Sequence, residues 1–173
     1  MSNLNLIGIN VNIFVLDTDP ALAAQYQSDI HVRKMLLEST QLLSTAMWEN
    51  GQTAPYKKTH VNHPCSVWVR TSHDNFCWLM RHAFALSCEY SYRRGKLHKC
   101  HDVLNTILND YNHSLPHIGL TPFAQAMPEQ YRNSCVVTAY RQYYLVEKRE
   151  FVIRNKVYPA TWTKRGKPYW WKD

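Results

Sequence analysis

Apolar and polar positions recur with a helical period along most of this chain. From Asp29, a candidate cap, to about Met47, the residues Val32, Met35, Leu36, Ser39, Leu42, Leu43 and Ala46 fall at three- and four-residue steps. They mark the buried face of a long helix. A second stripe, His31, Lys34, Glu38, Gln41 and Thr45, keeps the same spacing, about 120° further around the axis at about 100° per residue. Ahead of it, Thr18-Asp19-Pro20 places a cap before a proline at a first helical position, which predicts a short helix over residues 21–26. Asn50-Gly51 ends the long helix, and a loop carrying Pro55, Tyr56, Lys57, Lys58 and His60 follows.

A further helical stretch begins at Asn62-His63-Pro64 and restarts at Ser72. Its buried face is Phe76, Leu79, Met80, Ala83, Leu86, Ser87 and Tyr90; Asn75, Trp78, His82, Glu89, Tyr92 and Arg93 lie on the flank, and Gly95 stops it. Val103, Leu104, Ile107, Leu108 and Tyr111 predict a fourth helix. After a loop with Pro116, Gly119, Pro122 and Pro128, the residues Val136, Tyr140, Tyr143, Tyr144, Glu147 and Phe151 predict a fifth. Strand signal is confined to residues 1–16, an apolar, Asn-rich extended lead. With no repeat, linker or low-complexity segment, the expectation is a mainly α protein: one compact helical domain over residues 1–173, with an extended lead (1–16) and a C-terminal tail (148–173) packed on it.

Length agrees with that, since 173 residues make one domain with a proper core. No apolar run reaches the ~18–20 residues of a membrane span, and the first residues show no secretory pattern. Cys65, Cys77, Cys88, Cys100 and Cys135 form no CxxC, so free thiols in a reducing cytoplasm are expected. Charge changes the picture more. The net charge is +7, and residues 148–173 hold eight basic residues against two acidic ones. The same segment holds Trp162, Tyr169, Trp170 and Trp171. Cations meet phosphates at any sequence and aromatic faces stack on exposed bases, so this tail reads as a nucleic-acid clamp or as a strap pinned to the core by its rings.

Three constellations carry candidate chemistry. In the stripe His31/Lys34/Glu38, a partly buried carboxylate has a raised pKa and a desolvated lysine a lowered one, so each can move protons near neutrality; Asp29 adds a second carboxylate. Lys57, Lys58, His60, Asn62, His63 and Arg70 are donors suited to a phosphate. The alternative for this part of the chain is a metal-dependent nucleotide phosphohydrolase, built from the dipeptides His73-Asp74 and His101-Asp102 with His31, His60, His63, His98 or Asp110. There is no glycine-rich phosphate loop and no GxSxG, and no cofactor is expected.

Two resemblances bear on these residues. Asn12-Ile13-Phe14, Asp19-Pro20, the helix over residues 29–41, His60-Val61-Asn62-His63-Pro64 with Trp68 and Arg70, and residues 121–131 (TPFAQAMPEQY) resemble small bacteriophage proteins of unassigned function. Residues 12–26, residues 63–95 with Phe76-Cys77-Trp78-Leu79, Cys88-Glu89 and Arg93-Arg94-Gly95, and the stretch Thr161-Trp162-Thr163-Lys164 with Gly166-Lys167 are similar to the phage pyrimidine-dimer DNA glycosylases with AP-lyase activity. That second resemblance implies an all-helical enzyme that binds duplex DNA, flips a base and cleaves the glycosidic bond with an amine nucleophile and a carboxylate. The amine is then the α-amine of Ser2, exposed by loss of Met1, or Lys34; the segment ahead of Asn12 reads as an N-terminal extension. The carboxylate is Asp29, in place of the family's Glu, with Glu38 second. The expected function is a phage DNA-directed enzyme working in the host cytoplasm. Asp29, His31, Lys34, Glu38 and Ser2 do the chemistry. Lys57, Lys58, His60, Asn62, His63, Arg70, Arg93, Trp162, Lys164, Arg165, Lys167, Trp170 and Trp171 hold the DNA. A non-enzymatic phage protein that binds nucleic acid or a host protein is the remaining alternative.

Overall fold

The computed structural model describes residues 11–172. Helix α1 (Pro20–Tyr26) starts as its sequence dictates, with the Asp19 carboxylate accepting from the backbone N–H groups of Ala21 and Leu22 and Pro20 opening the first turn. Helix α2 (Asp29–Glu49) and helix α4 (His73–Arg94) form the central packed pair. Helix α1 lies on α4, α3 (Pro64–Thr71) on α2, and α5 (Cys100–Asp110) against both long helices. Ser72 separates α3 from α4 and caps α4 by accepting from the Asn75 N–H at 3.1 Å. Gly95 ends α4 at φ +68°, a left-handed position that only glycine takes without strain. A single 3-10 turn (Glu129–Tyr131) precedes α6 (Val136–Glu147), and the chain then forms an antiparallel hairpin of β1 (Glu150–Ile153) and β2 (Lys156–Pro159). The protein is mainly α, as the periodicity predicts.

The apolar stripe of α2 is buried throughout, and so is much of its polar stripe: His31, Glu38 and Thr45 are inside, as is Asp29 at the helix start. Helix α2 is therefore enclosed on nearly every side. Residues 11–16 cover one of those sides. They are buried, with Phe14 stacked on the His31 ring at 4.5 Å, but they form no strand. The strands lie instead at residues 150–159, so Phe151 belongs to β1 and not to the last helix. The run Phe151-Val152-Ile153 is β-branched and aromatic, and Arg154 and Asn155 both take positive φ (50° and 61°), as a two-residue hairpin turn requires.

The tail returns to the beginning of α2. The Asp29 N–H donates to the Thr161 carbonyl at 2.8 Å, and the Trp162 indole N–H donates to the Tyr26 carbonyl at 2.9 Å. Trp171 packs on Trp162 at 4.8 Å, and Trp170 meets Tyr26 edge-on at 5.9 Å.

Candidate functional site

Two polar clusters sit on α2, and they have opposite characters. The first is built on Asp29. Its carboxylate accepts from Arg93 (3.1 Å), from the Thr161 hydroxyl (3.0 Å), and from the Thr163 N–H (3.0 Å) and hydroxyl (2.7 Å). Burial alone pushes such a carboxyl up; the donors from Thr163, Arg93 and Thr161 outweigh it and hold Asp29 below the ordinary range. Arg93 is buried and also bonds Glu89 (3.0 Å) and the carbonyls of Gln27 (2.8 Å) and Gln25 (2.9 Å). Glu89 in turn pairs with Arg165 from the tail. Thus Asp29, Arg93, Glu89 and Arg165 alternate in sign and lock the tail to α1, α2 and α4. Every lone pair of Asp29 is engaged by the fold, which leaves no proton to give and no face for a substrate.

The same packing answers for the tail. Arg93 and Trp162 are expected on DNA, but both are buried and committed to internal partners, so neither presents a surface to it. Trp170 and Trp171 are half-buried against Tyr26, Tyr144 and each other, and pin the tail as a strap. Arg165 is half engaged by Glu89, and the Lys164 ammonium donates to the Tyr92 carbonyl at 2.8 Å. Lys164, Arg165 and Lys167 remain exposed. Tyr169 is the exposed ring of the tail, at 79%, and its hydroxyl accepts from Arg141 at 2.8 Å.

His31 is sealed in. Its Nδ1 lies 2.7 Å from the Tyr144 hydroxyl, and its ring is covered by Phe14 and by the edge of Phe151 at 4.9 Å. Burial, then the nearby Lys148 and Lys34, push its pKa well below the ordinary histidine range, so it stays neutral. The ring is thus enclosed by Phe14, Tyr144 and Phe151 and already bonded to a phenol, so its place in the fold is that of a packing element. Ser2 lies outside the described residues.

The second cluster is Glu38 with Lys34. Glu38 is 3% exposed, and its Oε2 accepts from the Asn12 N–H at 3.1 Å. Its Oε1 is buried without a hydrogen-bond partner among the described residues, facing the Lys34 ammonium at 3.7 Å. Burial outweighs Lys34 and the Asn12 N–H, so the Glu38 carboxyl titrates above its ordinary value. Asn12 ties this carboxylate to a cavity: its side-chain amide donates to the Ala126 carbonyl at 2.8 Å, and Ala126 lines a space of about 250 Å³ together with Val11, His63, Pro64, Met127, Pro128 and Tyr143. Lys148 stands over the Tyr143 ring at 4.8 Å. Asn12, Tyr143 and Lys148 are site residues that the sequence did not single out. Their signals were the Asn12-Ile13-Phe14 motif, the aromatic stripe of α6 and, for Lys148, the basic start of the tail.

His63 does two things. It caps α3, accepting from the Cys65 N–H at 3.2 Å, and it lines the cavity. Arg70 is half-buried and holds the loop by donating to the Val61 carbonyl at 2.6 Å. Lys57, Lys58, His60 and Asn62 are exposed, with Lys58 paired to Glu49 at 3.1 Å. This loop is fastened to the far half of α2, where the Thr45 hydroxyl exchanges hydrogen bonds with the Thr59 backbone. Thr45 is about 24 Å along the helix from Asp29 at ~1.5 Å per residue. The two cationic groups thus flank Lys34 and Glu38 from opposite ends of α2.

Among the described residues no three His, Cys, Asp or Glu side chains come together as metal ligands. The dipeptide histidines have other work: His73 lies among Tyr111, His113 and His117, and His101 bonds Ser87 at 3.1 Å. No helix among the described residues is long and apolar enough to cross a membrane. Comparison with protein-family models, with curated proteins and with solved structures gives no match.

Proposed function

We propose that the protein is a DNA-directed enzyme that cleaves an N-glycosidic bond, with Glu38 handling the proton and Lys34 offering the amine. One observation supports this above the others: a carboxyl that is almost wholly buried, lacks a partner on one oxygen, faces an ammonium at 3.7 Å, and is tied by Asn12 to the wall of a cavity. A protein leaves a carboxylate so placed only at a cost in stability, and groups perturbed this way cluster at functional sites. At about 250 Å³ the cavity lies below the ~300–1,000 Å³ of ordinary ligand pockets, and Asn12, not Glu38 or Lys34 themselves, is what joins the pair to its wall.

The protonated Glu38 donates to the departing base as the bond from C1′ to nitrogen breaks. The Glu38 carboxylate so formed takes a proton from the Lys34 ammonium, whose nitrogen then bonds C1′. Loss of its second proton as C1′–O4′ breaks, with a proton going to O4′, opens the sugar to an imine, which is later released by water or by elimination of the 3′ phosphate. Asp29 has no part in this chemistry; it fastens the tail. Phosphates are held by Lys57, Lys58 and Arg70 at one end of α2 and by Lys164, Arg165 and Lys167 at the other. Base extrusion costs a few kcal/mol, which contacts with the opened nucleotide must offset. The test is base release from duplex DNA carrying damaged pyrimidines, by wild type and Glu38→Gln across pH 5–9. Loss of about 100-fold or more in the variant, with a wild-type rate that falls as Glu38 ionises, supports the reading. Equal rates in both proteins, or no release by either, refute it.

A further inference from the structure

Beyond the site itself, one element stands largely exposed to water. The hairpin β1–β2 pairs Phe151 with Tyr158, Val152 with Val157 and Ile153 with Lys156. Phe151 is half-buried, and the other hairpin residues are exposed. Val152 is 51% exposed, Val157 59% and Tyr158 43%, so both faces of the ribbon show apolar side chains to water. A lone two-stranded hairpin is marginal in water. Among the described residues this one is held at its root, where Ala160 N–H donates to the Arg149 carbonyl at 2.7 Å, Arg149 stands over the Trp171 ring at 5.4 Å, and Phe151 meets His31.

Its charges are as telling as its exposure. Arg149, Arg154 and Lys156 are exposed, Lys148 is half-exposed, and Glu147 and Glu150 are the acids in this stretch. Neither Arg154 nor Lys156 has an ion-pair partner among the described residues. Arg154 occupies the first turn position at φ +50°, where glycine, asparagine or aspartate is the low-strain choice. The chain therefore accepts backbone strain to keep a cation at the tip, and strain of this kind concentrates where a segment engages a ligand. Like charges at the tip also oppose edge-to-edge pairing of two hairpins.

We infer that the hairpin of residues 150–159 is an arm that enters a groove of duplex DNA, its tip cations on the phosphates and its Val152/Val157 pair against the groove. A two-stranded ribbon fits a major groove about 12 Å wide, and apolar side chains on such arms wedge into minor grooves. The position suits the task. Phe151 at the root packs on His31, one helical turn before Lys34, and Lys148 sits on the ring of Tyr143 that lines the cavity. A duplex gripped by the arm passes the Glu38 site. The inference rests on the proposed DNA-directed function and supplies the contact that the buried tail indoles do not.

Fluorescence anisotropy with a 20-base-pair duplex, titrated with salt, tests it on the full chain. Arg154→Asn combined with Lys156→Gln is expected to weaken binding about tenfold at 0.1 M salt. It should also lower the slope of log K against log salt by nearly two, about 0.9 for each lost phosphate contact. The thermal midpoint should stay level or rise, because asparagine takes the turn without strain; Lys156→Gln alone, at an exposed strand position, should lower the slope by about one. If wild type binds and both variants bind with the same affinity and slope, the arm is overturned while the DNA-directed reading survives, and a protein docking role for the hairpin takes its place. If wild type shows no salt-sensitive binding, both fall together.

Discussion

Asp29 and Glu38 belong to one helix and meet opposite surroundings. Asp29 is saturated by Arg93, Thr161 and Thr163, and Glu38 has one lone donor and a cation just beyond hydrogen-bond reach. Asp29→Asn should therefore destabilise the fold by about 3–5 kcal/mol, because Arg93 loses a buried counter-charge, as chemical denaturation will show. Glu38→Gln should leave stability level or slightly raised, since it removes a buried charge that lacks full compensation. His82 makes a separate prediction. Its Nδ1–H donates to the Pro20 carbonyl at 2.9 Å, its Nε2 faces the Gln27 amide at 3.2 Å, and burial pulls its pKa down from 6.5 to about 4. Between those values the unfolded chain binds a proton that the folded chain refuses, so stability falls as pH falls through that window. The loss is on the order of 3 kcal/mol at about 1.4 kcal/mol per unit, complete near pH 4. Urea midpoints at pH 7.5, 5.5 and 4.5 should drop in that order, and a flat series would refute it.

At the scale of elements, the strap over residues 160–172 depends on its rings. Trp162→Ala should cost about 3–5 kcal/mol and expose the tail to limited proteolysis well before the helices are cut. How far these elements were legible in the sequence follows from what periodicity reports. Val32, Met35, Leu36, Leu42 and Leu43 are spaced by helix geometry, so α2 and its core face were readable, as were the caps at Asp19 and Ser72 and the stop at Gly95. The hairpin was not, because Phe151 continues the three- and four-residue steps of the α6 stripe and nothing local breaks them until Arg154-Asn155. Burial of polar groups was not readable either. A lysine and a glutamate four apart look like a solvated pair; the burial of Glu38 and its bond from the Asn12 N–H come from segments folded over α2 from elsewhere in the chain. Similarly, a basic tail rich in indoles looks like a clamp until Thr161, Trp162 and Arg165 find Asp29, Tyr26 and Glu89.

Across the whole molecule, the long buried helix α2 acts as a ruler. The tail is bound at its start, the loop with Lys57, Lys58 and His60 toward its end, Glu38 lies between with Asn12 linking it to the cavity wall at Ala126, and the hairpin springs from beside His31. At ~3.4 Å per base pair, the about 24 Å from Asp29 to Thr45 spans roughly seven base pairs. On the proposed function, a duplex that bridges the cationic groups at the two ends of α2 lies over the segments that cover the helix, not on the helix itself. Borohydride trapping on a duplex with a single abasic site interrogates the amine directly. The account predicts a covalent adduct with wild type, mapped by mass spectrometry to Lys34, and its loss in Lys34→Ala. No adduct, or an adduct undiminished in Lys34→Ala, would contradict it.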